Sequence, residues 1–79
     1  PELPALVDKN FEAWCGDFIH RHEQHTGNTP SAERVTRFLC GIGVPLFTKL
    51  KARSIPGFAA LEDYPYAEVR TWAEAHLPA

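Results

Sequence analysis

Apolar residues recur at the three- and four-residue spacing of an amphipathic helix in four segments of this 79-residue chain. The spacing predicts helices over residues 5–25, 30–41, 45–52 and 65–77. No segment reads convincingly as a β-strand. The pattern therefore predicts an all-α fold, a small bundle of about four helices in one domain over residues 1–79, with a long N-terminal helix within residues 1–27.

The ends of the predicted helices carry residues that commonly bound helices. Gly27 and Gly41 favour the left-handed conformation in which a helix ends. Threonine is a good N-cap, which makes Thr29 the predicted cap of the second helix. Proline suits the first helical position because its backbone φ is already close to helical. Three predicted helices open in this way, at Pro30, Pro45 and Pro65.

The apolar faces of the four helices predict one shared hydrophobic core. Large rings at helical spacing are more often core residues than binding platforms, because aromatic side chains bury the most area in a small domain. Phe58 and Tyr64 lie outside the main faces, so they are the better candidates for rings that stack on nucleic-acid bases. The predicted core consists of Phe11, Trp14, Phe18, Phe38, Leu39, Phe47, Leu50, Val69 and Trp72.

Composition narrows the class of protein. The chain is 44% hydrophobic, too apolar for a disordered tail, yet it lacks the run of about 18 apolar residues that spans a bilayer. Two cysteines are too few for a disulfide framework, so we expect Cys15 and Cys40 to be buried or half-buried free thiols in a reducing cytoplasm. Because the chain opens with Pro1 and no signal-peptide pattern follows, we interpret it as part of a longer cytoplasmic protein. We also expect the domain to be a monomer.

Charge is distributed unevenly along the chain, although the net charge is only −2. Residues 1–30 and 56–79 each carry −3, whereas residues 31–55 carry +4, from five cations and one glutamate. A basic stripe is a candidate nucleic-acid surface, because cations that contact phosphates release counterions. It is equally typical of an ordinary solvated helix face. The cations of this stripe are Arg34, Arg37, Lys49, Lys51 and Arg53.

A group of histidines near the end of the first helix suggests a metal site, but helical geometry argues against one. His20 and His22 diverge on the helix, and Cys15 lies two turns before His22, roughly 10 Å along the axis. One zinc ion cannot collect these ligands at its short bond lengths. We therefore expect His22 and His25 to be half-buried and His20 exposed, with no metal, no cofactor and no catalytic residue in this segment.

The middle and end of the chain carry a series of short motifs in a distinctive order. They are R-V-T-R-F-L-C-G-I over residues 34–42, Pro45, Lys49-Leu50, I-P-G-F-A-A-L over residues 55–61, Y-A-E-V over residues 66–69, and Trp72. Over residues 31–77 this series resembles the C-terminal winged-helix-like region, of the RQC type and in its shorter bacterial variants, of the RecQ-family ATP-dependent DNA helicases.

The resemblance implies a helix-turn-helix or winged-helix-like core over residues 29–77, and the β-hairpin wing that would follow near Ala79 is expected to be absent or truncated. It further implies a DNA-binding accessory domain for repair or recombination, with ATP and magnesium bound only by the motor of the parent protein. Phosphate contacts would come from the five cations of the basic stripe, in weak and non-specific DNA binding. The alternative is a helical protein-interaction or structural module with no nucleic-acid binding, which the acidic flanks and the net charge favour.

Overall fold

The computed structural model describes residues 5–6 and 10–77. It contains four α-helices and a short 3₁₀ turn over Ala52–Ser54, and no β-strand occurs in these residues, which confirms the predicted all-α fold. None of the helices in this part of the chain is long and apolar enough to cross a membrane. The helices are α1 (Phe11–Thr26), α2 (Ala32–Cys40), α3 (Pro45–Leu50) and α4 (Tyr66–His76).

Helix α1 is shorter at its N-terminus than the hydrophobic pattern predicts. The Asn10 side chain accepts a hydrogen bond from the Ala13 amide at 3.2 Å and caps the helix, so the prediction of a helix from residue 5 is wrong. Leu6 still packs into the core from outside the helix, while residues 1–4 and 7–9 lie outside the described residues. At the other end, Gly27 adopts φ 77° as predicted, and its amide donates to the Glu23 carbonyl at 2.8 Å.

Helix α2 begins at a different cap from the predicted one. The Ser31 hydroxyl accepts from the Arg34 amide at 3.2 Å, so Ser31 rather than Thr29 is the N-cap, and Pro30 precedes it. Gly41, at φ 76°, ends the helix as predicted, and the Ile42 amide donates to the Arg37 carbonyl at 2.8 Å. Ile42 therefore lies beyond the helix and is exposed, although the spacing predicts it on the apolar face.

The segment after α3 is fastened to the C-terminal end of α2 by backbone hydrogen bonds. The Ala59 amide donates to the Phe38 carbonyl at 2.9 Å, and the Leu61 amide donates to the Leu39 carbonyl at 2.8 Å. The Leu39 carbonyl thereby gains a partner at the end of the helix, and the Phe38 carbonyl, which also accepts from the Gly41 amide at 3.3 Å, gains a second one. Leu61 is buried, and the fastened segment carries Phe58 to the edge of the core.

The predicted core forms a single cluster, with Trp14 only half-buried at its margin and the other eight residues buried. Its centre is a group of three phenylalanines from three helices. The rings of Phe18 and Phe38 stack with centroids 4.2 Å apart, and Phe47 meets Phe18 edge-on at 5.5 Å. Such aromatic pairs add about 0.5–1.5 kcal/mol each beyond the area they bury.

Helix α3 begins with Pro45 at its first turn, as predicted, but ends at Leu50, two residues earlier than expected. Lys51 then adopts the left-handed conformation, with φ 54° and ψ 46°, and the chain continues as the 3₁₀ turn. Arg21 of α1 donates from Nη1 to the Leu50 carbonyl at 3.1 Å, which satisfies one carbonyl at the end of α3 and ties the two helices together.

Candidate nucleic-acid interface

An open groove of about 440 Å³ lies beside α3 and the 3₁₀ turn. Its apolar lining comes from Val44, Phe47, Ala52 and Phe58, and the hydroxyl-bearing residues Thr48 and Ser54 also line it. Two cations of the predicted stripe, Lys51 and Arg53, are part of the wall, and none of the described residues that line the groove is a carboxylate. The groove therefore combines an apolar surface with positive charge.

The five cations of the predicted stripe do not form one surface of equal character. Lys49, Lys51 and Arg53 are exposed, but Lys49 does not line the groove. Arg34 and Arg37 are half-buried and line a smaller recess of about 230 Å³, together with Glu33. Val44 lines both the groove and the recess, so the two depressions adjoin.

Arg34 is held by a buried histidine of α1. Its Nη1 donates to the His22 Nε2 at 3.0 Å, and the other ring nitrogen of His22 lies 2.7 Å from the Asn28 carbonyl oxygen. Because a guanidinium can only donate, Nε2 must be the accepting nitrogen, and the proton of the neutral ring sits on Nδ1 and is donated to Asn28. Arg34 thus has a structural partner that the sequence pattern, which places it away from the apolar face, does not predict.

Arg37 is also engaged within the domain. Its Nη2 lies 3.1 Å from a carboxylate oxygen of Glu33, one helical turn earlier. Interactions with the Tyr66 hydroxyl and with Glu33 raise the pKa of Arg37. The guanidinium is therefore partly neutralised by a carboxylate, and any phosphate at this position competes with Glu33.

Lys51 and Arg53 have no ion-pair partner among the residues that the structure describes. Arg53 places its guanidinium carbon 5.9 Å from the centroid of the Phe58 ring, at the outer limit of a cation–π contact. The left-handed backbone of Lys51 is uncommon for a residue with a side chain and costs about 1 kcal/mol. These are the two cations of the groove wall that an anionic ligand can contact without displacing a described ion-pair partner.

Phe58 gives the groove an aromatic wall. The ring is half-buried and meets Phe38 of the core edge-on, with centroids 5.7 Å apart. This packing against a buried ring fixes the orientation of Phe58 while part of its surface remains accessible from the groove. The sequence prediction of an exposed stacking ring at Phe58 is therefore met only in part.

The histidines follow the prediction only in part. His20 is exposed as expected, but His22 is fully rather than half-buried, and His25 is exposed rather than half-buried. His25 lies in the last turn of α1, beside the cap Gly27, where the helix no longer faces the core. Within the described part of the chain, no three histidine, cysteine, aspartate or glutamate side chains are grouped so that they could hold a metal ion.

Both cysteines are free thiols, buried at Cys15 and half-buried at Cys40, as predicted. Burial, helped by the nearby charge of Glu12, raises the pKa of Cys15 to about 12, and its Sγ donates to the Phe11 carbonyl at 3.1 Å. Burial also raises the pKa of Cys40. Since the thiolate is the nucleophilic form, the raised pKa values favour the less reactive thiol form of both cysteines at neutral pH.

Sequence reasoning missed two features of this region. The apolar wall formed by Val44, Phe47 and Phe58 was not predicted as one surface, because these residues belong to three segments with separate local patterns. Arg21, which appears in the sequence as one cation among acidic neighbours, supports the end of α3. No local signal identifies either feature, since both depend on how α1, α3 and the following turn are placed in space.

Comparison with known proteins adds no relative: no family model, no curated protein and no solved structure matches this chain.

Proposed function

We propose that this domain binds DNA weakly and without sequence preference, through phosphate contacts, as an accessory domain of a RecQ-like ATP-dependent DNA helicase. The parent assignment rests on the motif resemblance over residues 31–77. The observation that supports the binding function is the pair Lys51 and Arg53, two cations without an ion-pair partner among the described residues, on the wall of a groove whose described lining contains no carboxylate.

Electrostatic reasoning ranks the cations of the basic stripe. Lys51 and Arg53 can contact phosphates without breaking an existing ion pair, and exposed Lys49 can add a third contact. Arg34 and Arg37 contribute less, because they already donate to His22 and to Glu33. We expect affinity in the range typical of non-specific binding, about 10⁻⁴–10⁻⁶ M, with two or three phosphate contacts setting its salt dependence.

The test is a nuclear magnetic resonance titration of the 79-residue chain with short single- and double-stranded DNA at low salt. We expect the largest amide shifts at residues 43–58, and a slope of log K against log salt of roughly −2, since each phosphate contact contributes about −0.7 to −0.9. Replacing Lys49, Lys51 and Arg53 together by alanine should abolish binding without unfolding the domain, because exposed side chains contribute little to stability.

A matched control is Arg70→Ala on α4. Arg70 is exposed and paired with Glu74 at 3.6 Å, so its loss removes one cation without touching the groove. Its DNA affinity should equal that of the wild-type chain. If millimolar DNA causes no shifts at Arg34, Arg37 or residues 49–53, the DNA-binding function is wrong.

A protein-interaction module is the second candidate, and the apolar side of the same groove favours it. Val44, Phe47 and Phe58 line a concave surface of the kind that receives an apolar anchor from another protein, and Ile42 is exposed in the turn that leads to α3. The salt dependence separates the candidates, because phosphate binding weakens steeply with salt whereas burial of apolar surface does not.

A further inference from the structure

We infer that the groove beside α3 receives one unstacked base of a single-stranded nucleic acid, with the flanking phosphates at Lys51 and Arg53. This inference rests on the proposed function and specifies its ligand. A duplex could satisfy the cations alone, whereas the groove offers a second kind of contact that only an unpaired strand can use.

The shape and lining of the groove fit a base. A volume of about 440 Å³ lies within the range of roughly 300–1,000 Å³ that is common for small-ligand sites. Val44, Phe47 and Ala52 give the groove an apolar lining, and the hydroxyl groups of Thr48 and Ser54, which also line it, supply hydrogen-bonding capacity. A planar heteroaromatic ring with polar edges matches this combination better than a purely aliphatic group does.

Phe58 is the stacking surface in this arrangement. Its orientation is fixed by the edge-on contact with Phe38, so little rotational freedom is lost when a base packs against it. The Arg53 guanidinium is 5.9 Å from the ring centroid, which is too distant for tight packing, so it can turn toward a phosphate and leave the ring to the base.

The positive charges place the phosphate backbone of the nucleic acid on the same side of the domain as the apolar wall of the groove. Lys51 and Arg53 flank the apolar wall, and no carboxylate among the described lining residues repels a phosphate. The neighbouring recess differs, because Glu33 shares it with Arg34 and Arg37. The strand is therefore expected to pass over the groove rather than to be centred on the recess.

A duplex cannot use this site fully. Its bases stack on one another and present only their edges in the grooves, whereas single strands expose base faces that stack on aromatic side chains. Stacking of one base on Phe58 should favour a single strand over a duplex with equal phosphates by roughly tenfold. Because the contact uses the base face and the phosphate, both DNA and RNA strands satisfy it.

The experiment measures fluorescence anisotropy of the 79-residue chain with labelled oligothymidine, oligouridine and a hairpin duplex matched in phosphate number. Phe58→Leu removes the aromatic face but keeps an apolar side chain against Phe38, and Phe58→Tyr keeps the face. We expect the wild-type chain and Phe58→Tyr to prefer both single strands by roughly tenfold, and Phe58→Leu to bind single strand and duplex equally. Thermal unfolding confirms that each variant is folded.

A second readout locates the base directly. Nuclear Overhauser contacts between thymine protons and the Phe58 ring protons are expected in the complex with oligothymidine. Equal affinity of the wild-type chain for single strand and duplex, with Phe58→Leu unchanged, would overturn the single-strand inference and leave the DNA-binding function intact.

Two further outcomes concern the proposed function itself. If the wild-type chain binds none of the three oligonucleotides, both the proposed function and this inference are wrong. Shifts at the groove with a peptide of glutamate and phenylalanine, in the absence of any oligonucleotide shift, would assign the groove to a protein partner and overturn both.

Discussion

The two halves of the basic segment differ in what their cations do. On α2, Arg34 donates to buried His22 and Arg37 pairs with Glu33, so both guanidinium groups serve the fold. Later in the sequence, after Val44, Lys51 and Arg53 line a groove that has no carboxylate among its described residues. Neither of these cations has an ion-pair partner among the described residues. The five cations of this segment thus divide into two that are engaged on α2 and three exposed ones, of which Lys51 and Arg53 line the groove and Lys49 lies outside it.

The contrast shows that formal charge along the sequence overstates the number of cations that are free of partners within the described part of the domain. A guanidinium that is held by a buried acceptor can offer a phosphate only its remaining N–H groups, and moving away from that acceptor would leave the acceptor without its partner. An exposed lysine or arginine has no such competing interaction and gives up mainly side-chain entropy on binding. Variants of the α2 arginines and variants of the groove cations should therefore differ in their effects on the free energy of unfolding and on the affinity for a ligand.

The largest loss of stability is expected at Phe38, because both the α2 side and the groove side of the basic segment pack against it. Phe38 contacts Phe18, Phe47 and Phe58, so Phe38→Ala opens a cavity behind α2 and behind the groove at once. We expect a loss of about 3–5 kcal/mol of unfolding free energy, enough to unfold a domain whose total is in the usual range of about 5–15 kcal/mol. Chemical denaturation measures it, and a loss below about 1 kcal/mol would contradict the central position of Phe38.

Gly57→Ala should damage the groove side selectively. Gly57 has φ 103°, and an added Cβ would collide with the Trp14 backbone carbonyl, so the turn that carries Phe58 must move. We expect a loss of about 2–4 kcal/mol with disturbed shifts concentrated at residues 55–61. A thermal melt unchanged from wild type would show that this turn does not need glycine.

A matched pair of methionine variants tests the comparison itself. Arg34→Met leaves the buried Nε2 of His22 without its donor and should cost about 1–3 kcal/mol of stability with little effect on DNA affinity. Arg53→Met should leave stability within about 0.5 kcal/mol and weaken DNA binding. Chemical denaturation measures the stability of each variant, and fluorescence anisotropy measures its DNA affinity. Equal losses of stability in the two variants would contradict the distinction between Arg34 as a structural cation and Arg53 as a groove cation.

A small effect on stability, with the opposite sign, is expected at Lys51. Lys51→Gly relieves the left-handed conformation at φ 54°, so stability should stay equal or rise by up to about 1 kcal/mol. The same change removes a groove cation, and the slope of log K against log salt should become shallower by about 0.7 to 0.9. Lys49→Ala, which alters an exposed cation outside the groove, is the control and should change DNA affinity less.

Local sequence patterns predicted the helices better than their boundaries. The αL glycines at the ends of α1 and α2 and Pro45 at the start of α3 were correct, because each acts through its own backbone conformation. The start of α1 was placed too early, because apolar residues before Asn10 extended the apparent face although Leu6 lies outside α1. Asn10, a good N-cap, was the signal that could have corrected it.

The candidate interface was predictable only as a set of charges. The sequence identified Lys51 and Arg53 as cations and Phe58 as a ring outside the main faces. It did not indicate that these three residues line one groove, or that Arg34 is withdrawn from it by His22. Hydrogen bonds across 12 residues of sequence carry no periodic signature, whereas helical faces do.

The sequence by itself determined the helical class and eight of the nine residues of the predicted core, because both follow from side-chain hydrophobicity repeated at helical spacing. Only the tertiary structure decided which cations have partners and which line the groove. That division depends on where α1 and the turn at Gly57 are packed against α2, and these contacts join residues that are distant along the chain. Burial acts on each residue separately, but a hydrogen-bond partner or a groove exists only once two elements have been brought together.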